Sequence, residues 1–138
     1  MEDCIFCKIV KKDIPAEIVY ENENYLAFMD IKPINQGHVV LVPKEHSRTF
    51  LDFVGLASKN GELVEVLQKI GGAVKNGTGA NGLNISTNIE RAGGQIIFHT
   101  HFHIIPRFDN DGLVHWPHKE GAEKNFAQIA SQIRANLK

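Results

Sequence analysis

Long apolar runs are missing from this chain: stretches such as Val39-Val40-Leu41-Val42 are strand-sized, far short of the roughly 20 residues a membrane-crossing helix requires. No membrane partner is expected. The amino terminus shows neither a charged-then-apolar leader nor a small-residue cleavage site, so the expected location is cytoplasmic. Excess charge is missing too. The formal net charge is −1, with acids and bases interspersed, which leaves no basic stripe of the kind that binds nucleic acid through its phosphates. The partners expected are small molecules. Cysteine is scarce, and its two copies sit as Cys4-x-x-Cys7; in a cytosolic protein that spacing points to a metal or redox site before a structural disulfide. No internal repeat, low-complexity run or linker interrupts the sequence. At 138 residues and 43% hydrophobic, the chain 1–138 has the size and composition of one domain with its own core.

What is present in quantity is histidine, and three of the seven lie in one stretch, Gly93-Gly94-Gln95-Ile96-Ile97-Phe98-His99-Thr100-His101-Phe102-His103-Ile104-Ile105-Pro106-Arg107. As a β-strand of period two, it places His99, His101 and His103 on one face and Thr100, Phe102 and Ile104 on the other. Alternate side chains on a strand lie about 6.6 Å apart, so three imidazoles can surround one small polar group such as phosphate. Neutral imidazole carries one acceptor and one donor nitrogen. One ring can therefore attack phosphorus while a neighbour donates to an oxygen of the same group. His-x-His is also a good chelate, and a metal-binding strand remains the alternative.

Around this stretch the periodicities predict a short helix over about Cys4 to Lys12, with Ile5, Phe6, Ile9 and Val10 at helical spacing. Two strands, Glu17 to Tyr20 and Tyr25 to Asp30, are joined by the polar turn Glu21-Asn22-Glu23-Asn24. A third apolar strand, His38 to Val42, follows the Asn35-Gln36-Gly37 turn and is ended by Pro43. Between Ser47 and Asn76 the period becomes helical, with Leu63, Val66, Leu67, Ile70 and Val74 in one stripe. Leu83 to Thr87 resumes as a strand, and from about Ala122 to Leu137 Phe126, Ile129, Ala130, Ile133 and Leu137 share one helical face. This order predicts an α+β fold: an antiparallel sheet of about five strands with a long central helix and short terminal helices.

The alternating histidines, preceded by Gly94-Gln95 and followed by Ile105-Pro106-Arg107, resemble the signature of the histidine triad (HIT) superfamily of nucleotidyl hydrolases and transferases. Cys4-Ile5-Phe6-Cys7-Lys8-Ile9-Val10, Phe28-Met29-Asp30-Ile31, Gly37-His38, Pro43-Lys44-Glu45-His46, Asn88 and His115-Trp116-Pro117 extend the likeness to the Hint-like branch over almost the whole chain. The resemblance implies a HIT-like fold and a purine nucleotide substrate. It makes His101 the nucleophile that takes the nucleotidyl group, His103 a partner of a phosphate oxygen or the departing group, and His38 a support for the triad. It also implies that Asp30 accepts from ribose hydroxyls and that Ile5, Phe6, Ile9, Phe28 and Ile31 enclose the base. Pattern alone makes those apolar residues core and Asp30 a turn former. Asn88, Gly94, Gln95 and Ile97 would line the ribose and phosphate. In many Hint-like proteins a small hydroxyl residue follows the glutamine; here the position is Ile96, which leaves phosphate contact to backbone groups.

Cys4, Cys7, His46 and His99 form a second constellation. Two thiolates and two imidazoles make a tetrahedral zinc set, and many bacterial HIT proteins with this amino-terminal Cys-x-x-Cys are assigned one. The implied cofactor is a structural zinc, one per chain. Two thiols packed as small apolar groups are the plainer reading. The relatives' pairing through the long helix and an edge strand implies a homodimer with Trp116 near the partner. Three functions compete: a purine nucleoside phosphoramidase, a dinucleoside polyphosphate or nucleotide-sugar hydrolase with the same nucleophile, and a non-catalytic nucleotide- or metal-binding module.

Overall fold

The structure is a computed structural model that describes residues 3–55 and 61–137. Strand β1 (Ile18–Glu21) turns into β2 (Tyr25–Met29), and the turn closes because Asn22 Oδ1 accepts from the N–H groups of Asn24 and Tyr25 at 2.9 and 2.8 Å, an Asx turn. Strand β3 (Val39–Pro43) pairs antiparallel with β2, and β4 (Gly82–Ser86) and β5 (Phe102–Arg107) complete a five-stranded antiparallel sheet of order β1-β2-β3-β5-β4. Helix α1 (Ile5–Val10) covers one face of it and α2 (Glu62–Thr78) the other, while α3 (Phe126–Ala135) closes the chain. The helical reading over 56–60 lies outside the described residues.

Alternation along the central strands explains the two cores. Tyr25, Ala27, Val39, Leu41, Phe102 and Ile104 point towards α2 and meet Leu63, Val66, Ile70 and Val74. Leu26, Phe28, Val40 and Val42 point the other way, onto Phe6 and Ile9 of α1. Strands β2 and β3 are thus apolar on both faces, which is why their sequences read as continuous runs. Helix α2 stops at Gly79, whose φ of +75° is the left-handed cap that an L side chain disfavours.

The histidine stretch departs from the single strand predicted. Only His103 lies within β5; His99 and His101 precede it in irregular backbone. Pairing between β3 and β5 runs from Val39↔Ile104 to Leu41↔Phe102 and ends there. Two residues further along β3 stands Pro43, which has no N–H to continue a ladder. Its carbonyl accepts instead from His99 Nε2 at 2.8 Å. On the other side of β5 pairing ends at Ser86↔His103, and the Thr87 hydroxyl donates to the His101 carbonyl at 2.7 Å. Side-chain bonds therefore replace the ladder where the first two histidines lie.

The carboxy-terminal arm also differs from an ordinary packed terminus. Helix α3 buries none of its residues, and Trp116 is 89% exposed.

Candidate active site and metal centre

His38, His101 and His103 meet on the α1 face of the sheet. His38 enters β3 after the turn at Gly37, where φ is +95° and an added Cβ would stand 2.6 Å from Thr78 Cγ2. The turn is closed by the His38 N–H donating to Asn35 O at 3.1 Å. His38 is 1% exposed; its Nδ1 accepts from the Ile34 N–H at 3.0 Å and its Nε2 lies 2.9 Å from His103 Nδ1. Rings of His101 and His103 meet edge to face at 5.0 Å, and Phe6 stands against His101 at 5.1 Å.

One hydrogen bond defines what His101 can do. Its Nδ1 donates to the His99 carbonyl at 2.7 Å, so the neutral ring keeps its lone pair on Nε2. Burial pushes His101 below the ordinary imidazole range, and burial together with the neighbouring His101 and His38 pushes His103 to about 4. Both are neutral at neutral pH. Neither His101 Nε2 nor His103 Nε2 has a hydrogen-bond partner among the described residues. The arrangement offers a nucleophilic nitrogen beside a donor nitrogen, which suits attack on phosphorus.

The phosphate loop is held from within. Gln95 is 3% exposed; its amide donates to Arg48 O at 2.9 Å and to Ile97 O at 3.1 Å and accepts from the Glu90 N–H at 2.9 Å. Both N–H groups of that amide are spent inside the protein, so Gln95 borders the phosphate loop as the residue that fixes it. The loop needs fixing because Glu90 adopts φ +64°, ψ 167°, a conformation that ordinary L residues avoid. Gln95→Ala should cost about 1–3 kcal/mol by stranding its buried backbone partners. Urea denaturation would read the loss as an earlier midpoint. Gly94 follows with φ +92°, and Asn88 Nδ2 lies 3.4 Å from its carbonyl.

Of the residues expected around a base, Phe6, Ile9 and Phe28 are core, with Phe6 and Phe28 edge to face at 5.5 Å and Ile97 packed on the same cluster. Ile5 is partly exposed and Ile31 stands in solvent. Asp30, at the end of β2, accepts from the Lys32 N–H with Oδ1 and brings Oδ2 to 3.6 Å from His38 Nε2.

Cys4, Cys7, His46 and His99 converge as the sequence predicts, with one donor atom from each within 4.8 Å of all the others. Cys4 caps α1, its sulfur accepting from the Cys7 N–H at 3.3 Å. His99 Nδ1 lies 3.3 Å from Cys4 Sγ, 3.5 Å from Cys7 Sγ and 3.1 Å from His46 Nδ1, and His46 Nδ1 is 3.4 Å from Cys7 Sγ. Ordinary zinc bond lengths in a tetrahedron separate such donors by about 3.3–3.8 Å. The bond from His99 Nε2 to Pro43 leaves its Nδ1 lone pair facing the sulfurs, the outer-shell arrangement of a ligating imidazole. These four residues fit a metal ion.

Sequence reasoning missed the groups that hold the histidines: Pro43 O, the Ile34 N–H, Thr87, and Ser47, whose carbonyl accepts from the Thr100 N–H at 2.9 Å. Pro43 closing a strand was the one visible signal. Backbone groups carry no identity in a sequence.

The chain is similar to known proteins over nearly its whole length. An uncharacterized HIT-like protein of Borreliella burgdorferi is 41% identical over 144 aligned residues, covering 99% of this chain and all of that protein. The adenosine 5′-monophosphoramidase of Schizosaccharomyces pombe is 33% identical, with 98% of each chain covered. A zinc-bound histidine triad family protein from Mycobacterium smegmatis superposes with a TM-score of 0.74 at 32% identity, covering 99% of both chains. The family model described as HIT domain matches residues 11–110, and with the histidines in the places just described the chain belongs to the HIT family.

Proposed function

We propose that the protein is a nucleotide hydrolase acting at the α-phosphorus of purine nucleoside 5′-phosphoramidates, through a nucleotidyl-His101 intermediate. The observation that carries this reading is the 2.7 Å bond from His101 Nδ1 to the His99 carbonyl, which leaves Nε2 unprotonated. In the first step the Nε2–P bond forms and the P–N bond to the amine breaks, the departing nitrogen taking a proton from solvent so that the amine leaves neutral. His103 Nε2–H donates a hydrogen bond to a phosphate oxygen or to the departing nitrogen and keeps its proton. Water then attacks phosphorus, the His101–phosphorus bond breaks to return His101 as a neutral ring, and the proton that water loses goes back to solvent. Asp30 accepts from the ribose hydroxyls and Asn88 and Gly94 bound the phosphate. The identity to an adenosine 5′-monophosphoramidase supports the substrate class. Ranking turnover on adenylated amines, dinucleoside polyphosphates and nucleotide sugars tests it: phosphoramidates should be fastest. Faster cleavage of a dinucleotide would replace the substrate, and nucleotide binding without turnover would leave a binding module.

One structural zinc per chain belongs to this reading, held by Cys4, Cys7, His46 and His99; when bound it ties α1 to the end of β3 and to His99 and takes no part in the chemistry. A zinc-bound relative supports that choice of ion. We place the protein in the cytoplasm, as one HIT domain over 1–138, acting as a homodimer. The support for a dimer is the apolar surface left open: Phe126 and Ile133 of α3 and the indole of Trp116 are all well exposed, and a buried aromatic is a common interface anchor. Sedimentation at micromolar concentration should give a dimer that Trp116→Ala weakens. A monomer would overturn it.

A further inference from the structure

Asp30, His38 and His103 also bring one ligand atom each within 4.8 Å of the other two, and two imidazoles with a carboxylate are a familiar metal-binding set. Proton positions decide against that use. A backbone N–H can only donate, so the 3.0 Å bond from the Ile34 N–H requires a lone pair on His38 Nδ1 and places the proton of the neutral ring on Nε2. That same Nε2 lies 2.9 Å from His103 Nδ1. His38 therefore donates, His103 Nδ1 accepts, and the proton of neutral His103 is on its Nε2. A metal at His38 Nε2 would need this proton moved to Nδ1, where it would face the Ile34 N–H, donor against donor, on a side chain 1% exposed.

We propose that His38 is a tautomer lock: its Nε2–H holds His103 neutral, with a permanent N–H donor on Nε2 at the reacting group, and denies the Asp30–His38–His103 cluster to metal ions. His38 is thus a positioning residue that acts through His103. Protonating His103 on Nδ1 would set two N–H groups against each other across 2.9 Å, so His103 serves as a neutral donor and not as an imidazolium acid. The titratable groups that face His103 are Asp30 at the end of β2, His38 beside β3 and His101 before β5. Only Asp30 favours the cation, and its carboxylate is nearest to His38, at 3.6 Å. Burial and the two flanking imidazoles act in the opposite sense, which agrees with the lowered value of His103.

The donor's role at the phosphoryl group rests on the hydrolase reading; the tautomer does not. Nitrogen-15 NMR of the metal-loaded, full-length protein without substrate reads it directly. The expected spectrum has His103 with an unprotonated Nδ1 and a protonated Nε2, unchanged from pH 8 to pH 5.5. In His38→Phe the His103 signals should titrate at higher pH than in wild type and lose the fixed proton on Nε2, and His38→Gln, whose amide can donate to the same nitrogen, should restore the wild-type pattern. Hydrolysis by His38→Phe should lose about 10²-fold in kcat, the usual effect of a misdirected donor, with KM little changed. Zinc titration of wild type should saturate at one ion per chain without moving the His38 or His103 signals. A proton on His103 Nδ1, titration of wild-type His103 above pH 6, an unchanged His103 spectrum in His38→Phe, or a second zinc that shifts these signals would each overturn the lock. If His38→Phe does not fold, the wild-type spectrum and the zinc titration still decide. Absent turnover with the tautomer intact would count against the hydrolase reading alone.

Discussion

Hydrolysis of adenosine 5′-phosphoramidate by His101→Ala is expected to fall by about 10⁴–10⁶-fold, the range seen when a covalent nucleophile is removed, while binding of adenosine monophosphate persists. Binding should survive because Asp30, the residue proposed to hold the ribose, follows β2 and does not lie on the segment that carries His101. His103→Ala removes one donor and should cost only ~10²–10³-fold. The difference in size follows from the two rings' protons: His101 offers a lone pair on Nε2, and His103 offers an N–H. Rapid quenching of wild type with labelled substrate, followed by peptide mapping, should place the nucleotidyl group on His101, in a bond stable to base and labile to acid. Label on another residue, or a His101→Ala variant that turns over normally, would sink the mechanism.

Cys4→Ser/Cys7→Ser should purify without zinc and melt well below wild type. Ligands that bind the folded chain 1,000-fold above their dissociation constant stabilise it by about 4 kcal/mol, which for a domain of this size lowers the melting temperature by on the order of 10 °C when lost. Activity should suffer as well. The ring of His99 stands among the four donors that fit a metal ion and its carbonyl is the acceptor that fixes His101, so freeing the ring should loosen the group that aims the nucleophile. Elemental analysis and calorimetry check both parts: a double variant that keeps the metal content of wild type would remove Cys4 and Cys7 from the site. An unaltered melting temperature after metal loss would show that the ion is not structural.

Most of the fold could be read from periodicity. Leu63, Val66, Ile70 and Val74 recur at helical spacing and are the residues that α2 buries; the turn at Asn22 and the strand ending at Pro43 were visible because Asn and Pro act on their own backbone. The histidine strand was misread at its start because period two describes only which way side chains point, and pairing also needs a partner strand with an N–H to give. Pro43 lacks one. The partners of Gln95 were hidden for a related reason: its amide chemistry suits a phosphate, but folding brings Arg48 O and the Glu90 N–H within its reach.

Residue order by itself determined the sheet and its helices, the three alternating histidines and the four metal-type donors, because side-chain chemistry and local period are properties of the linear chain. Tertiary structure decided which nitrogen of each ring holds its proton. That choice depends on Pro43 O for His99, His99 O for His101, the Ile34 N–H for His38 and His38 itself for His103. Three of these four partners are backbone groups, the same in nearly every residue, and they gain a role only where folding sets them against a ring.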